Sequence, residues 1–187
     1  FEQRGVRYVR NYGAGVDLPW QEVFQVNHRA SVEAYCRAGG LSCEWHGDRL
    51  RTIRVSPAIL KHPVSGHDVW FNHAHLFHVS NLAHGLRESL TREFDPDDLP
   101  RNTYYGDGTP IDTAVLDHIR ETYAGVAVRF AWQQQDVLLV DNMAIVHGRD
   151  PFVGERKALV VMAESSLQHF GTAERPDAAG DPQKGRM

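Results

Sequence analysis

Apolar and polar side chains alternate with a period of two over Val6–Tyr12, which predicts a strand that ends at Gly13-Ala-Gly15. After Pro19, the stretch Trp20–Phe24 predicts a short helix. Asn27 is placed to cap a longer helix over His28–Ala38, with Gly39-Gly40 as its stop. Ser42–Trp45 and Leu50–Val55 predict a hairpin turned at His46-Gly47-Asp48. A turn at His62-Pro-Val-Ser-Gly66 leads into a strand at Asp68–Asn72, and Ser80–Leu90 has helical spacing. Asp95-Pro-Asp-Asp-Leu-Pro100 breaks that pattern, and Tyr105-Gly-Asp-Gly108 reads as a loop. An amphipathic helix begins at Asp112 or Thr113, runs to the neighbourhood of Tyr123, and puts Leu116 and Ile119 in the core. The last third predicts strands at Val126–Trp132, Val137–Val140, Ala144–His147 and Lys157–Ser165. Residues 171–187, rich in Ala, Pro, Gly, Asp and Lys, read as a disordered tail. Short strands with a few inserted helices over residues 1–170 predict one mainly β, jelly-roll-like domain.

Composition narrows the class without naming a function. The chain has 187 residues, 42% hydrophobic and 24% charged, as expected of an ordinary globular domain. A net charge of −4 gives no electrostatic case for nucleic acid or an anionic membrane as partner. No apolar run reaches the length of a membrane span, and the opening residues carry no signal-peptide pattern, so the expected location is the cytoplasm. Cys36 falls in an expected helix and Cys43 in an expected strand, and both are expected as buried free thiols. The first strand is already under way at Val6. That sets the expectation of a fragment lacking an N-terminal half, or of a homodimer formed through the apolar face that half a jelly roll exposes with its strand edges.

The segment from Asp141 to Met162 carries the chemistry. His147 closes one apolar stretch, a loop with Pro151 and Gly154 follows, and Arg156 opens the next. A non-haem Fe(II) centre of the facial type uses two histidines and a carboxylate, leaving positions open for a 2-oxoacid. The far carboxylate of that acid needs a cation, and the planar fork of an arginine pairs with both of its oxygens. Taken alone, the pair fits a strand end and a surface arginine better than a metal site. Arg149, two residues after His147, is placed to brace the metal-side loop or to reach a substrate. Two other groupings compete. His46-Gly47-Asp48 has a His-x-Asp spelling but reads as turn chemistry. His73 and His75, if on a strand, share a face, and with His147 they would form a cupin-like, histidine-only metal site; His78 lies close by.

Around these residues the chain resembles a known family. In order come Gly5-Val-Arg-Tyr-Val-Arg10-Asn-Tyr, Trp20-Gln-Glu-Val-Phe24, Glu44-Trp45, Leu50-Arg-Thr52, His62-Pro-Val-Ser-Gly66 and Val69-Trp-Phe-Asn72. Leu99-Pro-Arg-Asn102, Tyr105-Gly-Asp-Gly108, Asp136-Val-Leu-Leu-Val-Asp-Asn142, His147-Gly-Arg149 and Gly154-Glu-Arg156-Lys157 complete the series. This collinear set resembles the C-terminal portion of TauD/TfdA-like Fe(II)/2-oxoglutarate dioxygenases, in the SyrP-like and clavaminate synthase-like branch. The resemblance implies a double-stranded β-helix, with Fe(II) as cofactor and 2-oxoglutarate as cosubstrate. It implies His147 as an iron ligand and Arg156 as the 2-oxoglutarate arginine, with Lys157 as the adjacent alternative. It also puts Asn72, Trp70 and Phe71 beside the substrate pocket, where Asn72 can hydrogen-bond an amino-acid-like substrate, free or tethered to a carrier. The implied reaction is oxidation of an unactivated C–H bond in bacterial secondary metabolism. The family's first iron motif, His-x-Asp or His-x-Glu, lies upstream of the segment matching Gly5–Tyr12. A catalytically incompetent jelly-roll module acting in binding or assembly is the alternative reading. Gln135 stands at a turn position where the family usually has glycine, and His73 follows Asn72 where glutamine is common.

Overall fold

The computed structural model describes residues 1–13, 17–155 and 157–162. Four antiparallel strands form the main sheet: β1 (Val6–Asn11), β2 (Ser42–His46), β3 (Arg49–Ser56) and, later in the chain, Arg101–Tyr105. A separate two-stranded ladder joins β4 (Ile59–Lys61) to β5 (Asp68–Trp70), which makes Arg101–Tyr105 strand β6. The main sheet has the order β2-β3-β1-β6, so β1 is paired on both sides. Val6 faces Ser56 on one flank and Tyr105 on the other. The helices are α1 (Trp20–Phe24), α2 (Arg29–Ala38), α3 (Ala74–Phe77), α4 (His84–Glu93) and α5 (Thr113–Val126), with short 3-10 turns at Val79–Asn81 and Pro96–Asp98.

Two apolar clusters hold these elements. Val6, Ala58, Ala74, Ile111 and Leu116 are buried together, with Phe1, Tyr8, Trp70, Tyr105 and Ile119 against them. Tyr12, Trp20, Val32, Cys36 and Leu50 form the second, over which α1 and α2 close. Leu116 and Ile119 therefore pack as their helical spacing predicts. Both cysteines are free; Cys36 is buried in α2 and Cys43 is half-buried in β2.

Several sequence expectations change. α2 starts one residue later than the Asn27 cap implies, with His28 at the cap position and no side-chain capping bond. His46-Gly47-Asp48 is the turn of the β2–β3 hairpin, with Gly47 at φ 61, a value that suits glycine. The residues expected as one helix from Ser80 to Leu90 are divided between the turn at Val79–Asn81 and α4. His73 and His75, which would share a face on a strand, sit instead at the cap of α3 and within it. β5 stops at Trp70, and Asn72 Oδ1 accepts the N–H of Ala74 at 3.0 Å, which bends the chain into α3.

The largest difference lies after α5. Among the described residues from 127 to 162 there is no strand, although four were expected from Val126 to Ser165. The stretch is open chain with local turns, such as Gln133 N–H to Asp136 Oδ2 at 2.7 Å and Ala144 N–H to the Asp141 carbonyl at 3.1 Å. Apolar periodicity states which side chains need cover, whereas a ladder also needs a neighbouring backbone, and none of the six strands offers one here. The sheet with inserted helices agrees with the expected class. The expected tail, residues 171–187, lies outside the described residues.

Candidate active site

His147 follows a short, well-fixed turn. Asp141 begins that turn: its carbonyl accepts Ala144 N–H at 3.1 Å and Ile145 N–H at 2.9 Å, and its Oδ1 accepts Met143 N–H at 3.0 Å and Ala144 N–H at 3.3 Å. The other oxygen, Oδ2, meets Nε2 of His62 at 2.7 Å. His62 sits in the β4–β5 hairpin loop and is buried. Its Nδ1 accepts Val64 N–H at 3.3 Å and Ser65 N–H at 3.1 Å, so that nitrogen carries no proton and Nε2 is the donor. The bond from His62, aided by the backbone N–H groups, holds the Asp141 carboxyl below the usual carboxylate range. The hairpin and the His147 segment, far apart in sequence, are thereby joined.

His147 itself is exposed and makes no hydrogen bond among the described residues. The guanidinium of Arg149 lies 5.5 Å from the centre of the Phe152 ring, and Asp150 pairs with Arg129 at 3.5 Å. Arg156 lies outside the described residues, so its expected convergence with His147 is a proposal below. Lys157 is exposed. Asn72 is buried: Nδ2 donates to the Ala58 carbonyl at 3.0 Å while Oδ1 takes Ala74 N–H. These bonds make it a backbone brace, and one N–H and one lone pair of its amide remain for a ligand.

The other histidines have local work. His78 Nδ1 accepts Ser80 N–H at 3.1 Å and pairs with Ser80 Oγ at 2.8 Å. Burial, with the Arg120 guanidinium close by, pushes its pKa down to about 4. His75 stacks on Tyr123 with ring centres 4.8 Å apart, and burial and then Arg120 lower its pKa too. His73 leans on the Phe77 ring. Among the described residues no three His, Cys, Asp or Glu side chains converge as a metal-binding group. The histidine-only site of His73, His75 and His147 is thus not formed, because α3 replaces the strand it needed. His147 stands as a single candidate ligand, and the described residues alone do not complete a metal centre. A largely apolar cavity of about 390 Å³ lies elsewhere, between α3, α4 and the start of β6, lined by Phe77, Leu86, Leu90, Leu99 and Arg101 among others.

The pairing of His62 with Asp141 was missed in the sequence. His62 reads as turn chemistry in its own neighbourhood, and no periodicity reports a bond between distant loops.

This chain, with its antiparallel sheet, its inserted helices and His147-Gly-Arg149 in the open segment after α5, is matched by a family model. Residues 2–163 match the family described as taurine catabolism dioxygenase TauD, TfdA family, and the chain belongs to that family. Among curated proteins it is similar to the dapdiamide synthesis protein DdaC of Enterobacter agglomerans, 42% identical over 165 residues, which cover 88% of this chain and 50% of that protein. It is also similar to a clavaminate synthase-like protein of Arabidopsis thaliana, 26% identical over 172 residues, covering 87% of this chain and 48% of the relative. The chain thus spans about half the length of the curated relatives it matches. The family is one of dioxygenases, and the described sheet with its inserted helices is consistent with a family fold of that kind. No helix among the described residues is long and apolar enough to cross a membrane.

Proposed function

We propose that this chain is part of an Fe(II)/2-oxoglutarate-dependent dioxygenase that oxidises an unactivated C–H bond of an amino-acid-like substrate, free or carrier-tethered. The observation that carries the reading is the family match over residues 2–163, which includes His147-Gly-Arg149. The similarity to a protein named for dapdiamide synthesis supports a biosynthetic role. In this reading His147 holds iron, and the other ligands come from outside the described residues. Arg156 holds the far carboxylate of 2-oxoglutarate through two parallel N–H bonds. Arg149 and Asn72 lie on the substrate side. The fold is the double-stranded β-helix of the family. Iron, when bound, supplies the oxygen chemistry, while the chain's residues bind and orient the two acids.

Anaerobic addition of Fe(II) and 2-oxoglutarate is expected to give a visible charge-transfer band, and admission of O2 to give succinate. His147→Ala should abolish the band. Arg156→Ala should weaken 2-oxoglutarate binding by about tenfold or more, the scale of a charge-assisted pair. Among the described residues His147 has no second ligand beside it, which favours a second reading, a non-catalytic module. Absence of band and succinate in the full-length protein would select it.

A further inference from the structure

We propose that His62 is a positioning residue that fixes, through Asp141, where the chain presents His147. The imidazole is not a passive loop side chain. Its hairpin is closed by His62 N–H to the His67 carbonyl at 2.8 Å and by Gly66 N–H to the His62 carbonyl at 2.9 Å. Two N–H groups, of Val64 and Ser65, then lock Nδ1 as an acceptor. The ring is left with a single outward donor, Nε2–H, aimed at Asp141 Oδ2. Asp141 has no slack either, because Oδ1 and the carbonyl are both used to wind residues 141–145 into a turn. His147 comes two residues after Ile145, so any rotation of that turn moves the imidazole with it. Both partners are matched in sense: a fixed donor meets a fixed acceptor, buried on one side and half-exposed on the other. The functional consequence rests on the reading of His147 as a ligand, whereas the mechanical link does not.

Three variants of the full-length protein separate the two. His62→Gln keeps a donor near the Nε2 position and gives up the loop acceptor. His62→Asn keeps the loop acceptor near the Nδ1 position and gives up the donor to Asp141. Asp141→Asn has one acceptor oxygen for two sets of donors. Hydrogen exchange at Met143–Ile145 should quicken about tenfold in His62→Asn and Asp141→Asn, the loss of one hydrogen bond. His62→Gln should rescue it while Val64 and Ser65 lose protection. The 15N shifts of the wild-type ring should report an unprotonated Nδ1 and a protonated Nε2. Fe(II) affinity should fall in His62→Asn and recover in His62→Gln. Unchanged exchange at Met143–Ile145 in both His62→Asn and Asp141→Asn, or the opposite tautomer, would overturn the proposal. Should His62→Asn disturb the main sheet, the half-exposed Asp141→Asn decides by the same measure. If exchange responds but Fe(II) binding is insensitive to every variant, His147→Ala included, the link stands and the metal reading falls.

Discussion

At the scale of single residues, protonation chemistry is the most direct handle. His78 is neutral in the folded chain, with its pKa moved from 6.5 to about 4 by burial and Arg120. Between those values the unfolded chain binds a proton that the folded chain refuses, so stability falls as pH falls from 6.5 toward 4. His75, also lowered, adds in the same direction. Allowing for the partial exposure of His78, the loss is on the order of 1–2 kcal/mol. Urea midpoints measured across that range should decline, and His78→Asn, which keeps an acceptor for Ser80 N–H, should flatten the decline. Asp17, Asp107 and Asp141 act in a separate window. Burial raises the Asp17 pKa, but bonds from Arg10, Leu18 N–H and Arg101 outweigh it; Asp107 is lowered chiefly by Thr109 N–H, and Asp141 by His62. Each of these carboxyls ends below its ordinary 3.8, so their contribution is complete above that value and disappears as pH drops below it.

At the scale of elements, what the sequence revealed depended on whether an element announces itself locally. α5 does so: Asp112 caps it by accepting Ala114 N–H at 2.9 Å, and Leu116 faces inward by helical spacing. Asp112→Ala is expected to cost about 1 kcal/mol, read from the shift in a denaturation curve. β6 does not announce itself, since no apolar alternation sets Arg101-Asn-Thr-Tyr-Tyr105 apart from the Pro-rich break before it and the glycine loop after it. Its buried polar groups are satisfied from elsewhere: Asn102 Oδ1 takes Val79 N–H at 3.1 Å, and Thr103 Oγ1 donates to the Ala74 carbonyl at 2.8 Å. Burial there follows from partners supplied by α3 and its neighbours, which no hydropathy pattern contains. α3 was missed for a related reason, because the turn into it is held by a side-chain hydrogen bond, Ala74 N–H to Asn72 Oδ1. Around the candidate site, the turn at His62–Gly66 was readable, while its bond to Asp141 was not.

At the scale of the whole molecule, the open segment after α5 dominates. Val137 is 92% exposed and Leu139 95%, with Val128, Val153, Leu159, Val160, Val161 and Met162 similarly bare. So much exposed apolar surface marks a face that expects cover. The chain of 187 residues on its own is expected to self-associate with rising concentration and to brighten a hydrophobic-surface dye. Light scattering and dye fluorescence check this, with a dye-silent, strictly monomeric chain as the contrary result. Asp or Lys at Val137 and Leu139 should reduce both signals without loss of the main sheet, because neither residue belongs to the two buried clusters.

The central place of β1 sets a schedule for synthesis. β1 leaves the ribosome before either of its neighbours exists. β3 arrives first and can zip with β2 into a three-stranded unit. The other edge of β1 stays bare until Arg101–Tyr105 has been translated. During that interval the nascent chain exposes an unpaired Val-Arg-Tyr-Val-Arg ribbon, whose arginines at 7 and 10 discourage pairing with a stranger.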